Sequence, residues 1–157
     1  MGASGDARGL RARSVTVGYG KDAPILEDLS LDVLQGQLTV IVGPNACGKS
    51  TLLRSLARVL GVRSGVVELD GRALTTMNQK ELARRLGLLA QSSTAPADIL
   101  VEDLVARGRY PHQSILRQWS AEDDEAVAWA MRQAGVEALA RRRVGELSGG
   151  QRQRVWI

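Results

Sequence analysis

The 157-residue chain has no phenylalanine, and aromatic residues make up only 3% of it. Its core must therefore come from Leu, Val, Ile and Ala, with Trp119, Trp129 and Trp156 as the few large fillers. Recognition of single-stranded nucleic acid by rows of stacked aromatics is disfavoured for the same reason. A single cysteine, Cys47, permits no internal disulfide, and a single histidine, His112, leaves no Cys/His cluster for structural zinc and no Ser-His-Asp nucleophile. No run of 18 apolar residues occurs, so no segment reads as a membrane-crossing helix. Met1 to Arg13 lack the apolar stretch of a secretory signal, and Asp6 stands where a myristoylation motif wants Ser or Thr. These absences together lead to the expectation of a cytoplasmic protein.

What is present is ordinary globular composition, 44% hydrophobic and 24% charged, enough for one domain rather than two. Lys plus Arg is 21 against 17 for Asp plus Glu, a net charge of +4. That balance suits a phosphate-bearing ligand, an acidic membrane or nucleic acid, and equally an indifferent solvated surface. The run Arg141-Arg142-Arg143 reads as a solvated helix end, since cations favour helix C-termini and three charges make a small footprint.

Along the chain, residues 1–9 read as a flexible arm. Leu10 to Val17 and Ile25 to Val33 alternate apolar and polar residues, as paired antiparallel strands with one wet face do. Leu38 to Val42 is β-branched and apolar without alternation, the pattern of a strand buried on both faces. Helical spacing over Lys49 to Leu60 predicts a helix capped by Gly61. Val66 to Leu69 reads as a strand turned by Asp70-Gly71, Asn78 to Leu86 as a helix, and Gly87 to Ala90 as a short strand running to Gln91. Ser92 to Asp98 reads as a linker or surface loop. Beyond Ile99 the pattern is helical: Ser120 and Asp123 form a capping box, Val127, Ala130, Met131 and Ala134 line one side, and a second helical piece covers Val136 to Arg143. One domain over 10–157 is expected, with a strand-rich portion over 10–91 and a helical portion over 92–147.

Two motifs carry chemistry. Gly43-Pro44-Asn45-Ala46-Cys47-Gly48-Lys49-Ser50 matches G-x-x-x-x-G-K-[ST] in full, after an expected strand and opening an expected helix. In such a loop glycines let backbone N–H groups turn toward phosphate oxygens, and the helix start adds unpaired donors and partial positive charge. Lys49 brings a full charge to the β- and γ-phosphates, and the Ser50 hydroxyl is a ligand for Mg²⁺. Cys47 occupies a position the motif leaves free. The second motif, Leu147-Ser148-Gly149-Gly150-Gln151, is another Ser/Gly helix start suited to phosphate, though alone it could be a capped turn.

Together the two loops resemble the nucleotide-binding domain of ATP-binding cassette (ABC) transporters, and the resemblance runs from residue 10 to the end of the chain. It implies an α/β P-loop NTPase fold with an antiparallel β portion and a helical subdomain. By the same resemblance ATP is held by Tyr19, stacked on adenine, and by Gly43, Pro44, Asn45, Ala46, Cys47, Gly48, Lys49, Ser50 and Thr51. Ser50 and Gln91 approach Mg²⁺. Leu147, Ser148, Gly149, Gly150 and Gln151 form the signature, which completes the ATP site of a second ATP-binding subunit in a head-to-tail dimer. Implied partners are membrane permease subunits and, indirectly, an extracytoplasmic substrate-binding protein, with no nucleic acid; the implied location is the inner face of the cell membrane. Gly108-Arg109-Tyr110-Pro111-His112 is similar to a stretch in importers of iron-siderophore complexes, haem and cobalamin, which points to uptake of a metal chelate.

Two departures modify the expectation. Ala46 replaces the family's usual glycine, and if the backbone there is left-handed the alanine costs ~1–2 kcal/mol. The Walker B acid, which ends a strand, the catalytic glutamate beside it and the switch histidine have no counterpart in the chain and are expected beyond Ile157, after the helix that the signature begins. No catalytic residue is therefore assigned within residues 1–157, and the C-terminal part of the core is read as missing. The chain by itself is expected to bind ATP poorly and to hydrolyse it negligibly. The alternatives are a non-transport ABC ATPase of DNA repair or translation and an inactive nucleotide-binding fragment. A repair ATPase would need a long coiled coil, and the stretch between Gln91 and Leu147 has no sustained heptads.

Overall fold

A computed structural model describes residues 8–91, 94–113 and 119–157. The chain divides between Leu88 and Leu89 into two compact units.

The first unit is built on β1 (Gly9–Val17), which pairs antiparallel with both β2 (Leu26–Leu34) and β3 (Ser64–Leu69). A short β4 (Arg72–Ala73) completes a four-stranded sheet in the order β2-β1-β3-β4. The alternation seen in the sequence is realised here. Gly9, expected in the arm, opens β1, and the rest of that arm, residues 1–7, lies outside the described residues. At Ser14, with φ 46°, β1 bulges, and Gly65 sits against the bulge. A Cβ on Gly65 would lie 2.4 Å from the Arg13 carbonyl oxygen, so only glycine fits. Asp70 (φ 49°) and Gly71 (φ 75°) are both left-handed and make the tight hairpin turn between β3 and β4.

Against the sheet packs α1 (Lys49–Leu56), burying Leu52 and Leu56 with Ala12, Val15, Val17, Val67 and Leu69. Full burial of such side chains contributes about 1.5–3 kcal/mol each. α1 ends before the expected Leu60, and Gly61 takes no part in its cap. The reason is Arg58: its backbone is left-handed (φ 55°), and its guanidinium donates to the carbonyls of Leu74 and, at 2.7 Å, of Met77. The helix expected over 78–86 contracts to α2 (Gln79–Ala83), whose first turn is capped by Asn78 accepting from Glu81 N–H at 2.8 Å.

Two expected strands do not form. Residues 38–42 are in no sheet, and Leu38 and Val42 are 91% and 84% exposed. Residues 87–90 are likewise unpaired. A strand buried on both faces is made by neighbours that complete its hydrogen bonds and cover its sides, and among the described residues no strand lies alongside either segment.

The second unit packs α3 (Val101–Ala106) and α4 (Ala121–Gln133) with α5 (Gly149–Val155) around Val101, Leu104, Met131, Val136, Val144, Leu147 and Val155. The capping box at α4 is present, with Ser120 N–H donating to Asp123 Oδ2 at 3.1 Å. Met131 is buried, and Val127 and Ala134 lie against the same core. The second helical piece shrinks to one turn, Glu137–Leu139. Arg141-Arg142-Arg143 is therefore no helix end: Val101 N–H donates to the Arg142 carbonyl at 3.0 Å and Arg143 bridges Leu100. Trp119 and Trp129 are about half exposed instead of filling the core; Trp156 alone of the three packs against it. The signature helix α5 spans Gly149–Val155, with Trp156 at its C-terminal cap. No described helix is long and apolar enough to cross a membrane.

Candidate functional site

The phosphate loop follows the 38–42 segment and leads directly into α1. Its curl is tight: Cys47 Sγ lies 3.0 Å from where a Cβ on Gly43 would stand. Gly48 (φ 95°) is left-handed, and a Cβ there would meet Leu26 at 2.8 Å. Ala46 is left-handed too, at φ 64°, so the condition for its energetic cost is met. Lys49 folds back over the loop. Its ammonium donates to the carbonyls of Gly43 at 2.9 Å and Pro44 at 2.5 Å and lies 3.7 Å from Cys47 Sγ.

The start of α1 carries no side-chain cap and no acidic residue in its first turn. Its first amides and the Lys49 ammonium are thus a donor set without an opposing carboxylate, which suits a polyanion. Ser50 is exposed on the first turn, whereas Thr51 is buried. Among the described residues no group of three His, Cys, Asp or Glu side chains could hold a metal ion.

Tyr19 lies in the turn between β1 and β2, and the residue is 42% exposed. Hydrogen bonds to its phenol oxygen from Thr51 and then from Arg54, both on α1, hold the phenol below its ordinary pKa against a smaller opposing effect of burial. The Arg54 bond is 3.1 Å long. A partly exposed tyrosine is thereby tied to the helix that the phosphate loop begins. Tyr19, residues 43–49 and Thr51 are brought into one neighbourhood of the first unit. Sequence reasoning missed Arg54 and Arg63, the second of which donates to the carbonyls of Tyr19, Gly20 and Asp22. Nothing in their spacing marks them, since surface arginines are common and these contacts span 35 to 44 residues.

The remaining candidates belong to the second unit. Ser148 caps α5: Gln151 N–H donates to Ser148 Oγ at 3.3 Å and Ser148 N–H to Gln151 Oε1 at 3.0 Å. Leu147 is buried in the core, while Gly149 and Gly150 are exposed on the first turn. Gln91 lines a cleft with Gly149, Arg152, Gln153, Trp156 and Ile157, so it sits beside the signature helix and not, as expected, at the end of a strand. The Gly108–His112 stretch is a tight turn fixed to α4 by Arg109, whose Nε donates to Asp123 Oδ1 at 2.7 Å. That bond first, and Ser120 with it, holds the Asp123 carboxyl below its usual range despite burial.

A glycine loop crowned by a lysine at a helix start, and a Ser-Gly-Gly helix start downstream, define a P-loop nucleotide-binding protein. The family described as ABC transporter matches residues 26–157, and the chain belongs to that family. It is 52% identical over 148 residues to the ferric enterobactin transport ATP-binding protein FepC of Escherichia coli (strain K12), covering 94% of this chain and 54% of that protein. It is 49% identical over 148 residues to the probable siderophore transport system ATP-binding protein YusV of Bacillus subtilis (strain 168), with the same coverage. Among solved structures it resembles a metal-chelate type ABC transporter in an inward-facing conformation, with TM-score 0.74, 26% identity and coverage of 95% of this chain and 54% of that one. The chain thus has the ABC ATPase P-loop fold and spans about half the length of these relatives.

Proposed function

We propose that this chain belongs to the ATP-binding and ATP-hydrolysing subunit of an importer for a ferric siderophore or a related metal chelate. The observation that carries the reading is the Lys49 ammonium folded over the 43–48 loop at an uncapped helix start, a geometry built to exchange two carbonyl partners for phosphate oxygens. The names of FepC and YusV support the cargo class.

In this reading the amides of 43–51 and Lys49 hold the triphosphate, and Tyr19 lays its open face on the base. Ser50 and Gln91 supply hard oxygens suited to Mg²⁺, which when bound neutralises charge building on the phosphates. The 147–151 turn presents its exposed glycine amides to the nucleotide of a second subunit, in a head-to-tail pair on the cytoplasmic face of a permease. Nucleotide contacts spanning two subunits favour the closed pair, and their loss on hydrolysis releases it. The substrate-binding protein outside the membrane is reached only through the permease. The 157 residues contain no apolar run ending in Asp-Glu, so alone they bind ATP weakly and hydrolyse it negligibly.

Isothermal calorimetry of the intact protein with magnesium and ATP tests the reading. Binding heat is expected, and Lys49→Ala is expected to weaken affinity about a hundredfold, as loss of a charge-assisted bond pair does. Equal affinity for both proteins would overturn the proposal.

A further inference from the structure

A ring that is to meet a base needs a fixed direction, and the turn that carries Tyr19 supplies one through polar contacts. Asp22 N–H closes the turn on the Tyr19 carbonyl at 3.3 Å, a long bond, and Gly20 is left-handed at φ 51°. Three carbonyl oxygens of this turn converge on one guanidinium. Arg63 Nη2 donates to Tyr19 and Gly20 at 3.1 Å each, and Nη1 donates to Asp22 at 2.7 Å. Arg63 is itself anchored, because its backbone N–H donates to the Thr16 carbonyl of β1 at 2.8 Å. Gly18 makes room for it: a Cβ there would stand 2.7 Å from Arg63 Nη2.

We infer that Arg63 is a positioning residue for nucleobase recognition, fixing through the turn carbonyls the direction in which Tyr19 presents its ring. The planar fork of arginine reaches three acceptors at once, which the single ammonium of lysine cannot do with the same spread. Arg63 is solvent-exposed, so its bonds act in water and direct the turn more than they stabilise the fold. Arg54, bonded to the phenol oxygen, restrains the other end of the same side chain. Between them Tyr19 is held at backbone and tip.

The inference rests on the reading of Tyr19 as the base contact, and the experiment separates the two. Affinities of the intact protein for ATP and for inorganic tripolyphosphate are measured in Tyr19→Ala, Arg63→Ala and the double variant, with Gly18→Ala as a second route to displacing the guanidinium. Tripolyphosphate has no base and reports the phosphate loop alone. Expected are a loss of about tenfold for ATP in Tyr19→Ala, a smaller loss in Arg63→Ala and Gly18→Ala, unchanged tripolyphosphate binding in all, and no added effect of Arg63→Ala when Tyr19 is already alanine. A normal ATP affinity in Arg63→Ala beside a weakened Tyr19→Ala would overturn the positioning role and leave the base contact standing. Parallel loss of tripolyphosphate binding, or additive effects in the double variant, would overturn it as well. Normal ATP affinity in Tyr19→Ala would remove both the base contact and the positioning role, while the phosphate loop stood on the Lys49 result.

Discussion

The starts of α1 and α5 are both serine- and glycine-bearing turns, yet their backbone amides are treated in opposite ways. At α5 the groups are satisfied within the turn: Ser148 and Gln151 exchange two hydrogen bonds. At α1 no side chain caps the helix, and the only strong local donor, Lys49, is spent on carbonyls of its own loop. A self-satisfied start is stable without a ligand, whereas an uncapped one preceded by a left-handed alanine at 46 carries a cost that an anion can offset. One turn is built for stability and the other for occupancy.

The largest effect that could break this contrast is at Lys49: the alanine that weakens nucleotide binding about a hundredfold should leave the thermal midpoint almost unmoved, because the ammonium contacts only groups of its own exposed loop. A steep fall in the midpoint would make Lys49 structural. Ser148→Ala acts the other way, with a loss of about 1 kcal/mol in stability read by denaturant unfolding, and a cap that proved silent would place the two turns in one class. Ala46→Gly should relieve the left-handed backbone and stabilise the loop by about 1 kcal/mol, read as a higher thermal midpoint and tighter ATP binding. The smallest effect concerns α4, capped like α5. Asp123 has its carboxyl held below the usual range by Arg109 and Ser120, so its contribution is complete above the ordinary carboxylate pKa of about 4 and is lost as pH falls through its lowered folded value. Asp123→Asn should flatten the acid side of the stability profile below about pH 4 and leave its shape near neutrality unchanged; an unaltered acid limb would show that the carboxylate is not linked to folding.

The antiparallel pairing of β1 and β2, the Asp70-Gly71 hairpin and the cap at Ser120 were legible because each is local chemistry: alternation, two left-handed turn residues, a serine three before an aspartate. Residues 38–42 were misread because a buried strand is a property of its neighbours, and the composition of Leu-Thr-Val-Ile-Val says only that it would pair well if something were there. α1 stopped early for a reason lodged 16 residues away, in the carbonyl of Leu74 that accepts from Arg58. The 43–51 loop could be placed because a motif spells out its local geometry, whereas Tyr19 was suggested by the family resemblance alone. Arg54 and Arg63, which hold Tyr19, have no such spelling and emerge only when the β1 turn, α1 and β3 are assembled.

In the stretch from Leu38 to Val42 the side chains of Leu38, Val40 and Val42 lie open to water beside the glycine loop, while Ile41 rests against the core. Its side chains favour pleated backbone, and among the described residues no strand pairs with it. Such a ribbon recruits whatever extended chain comes near, its own duplicates included. Concentrated solutions of these 157 residues will therefore tend to clump, and a charged substitution at Val40 is the simplest way to keep them dispersed.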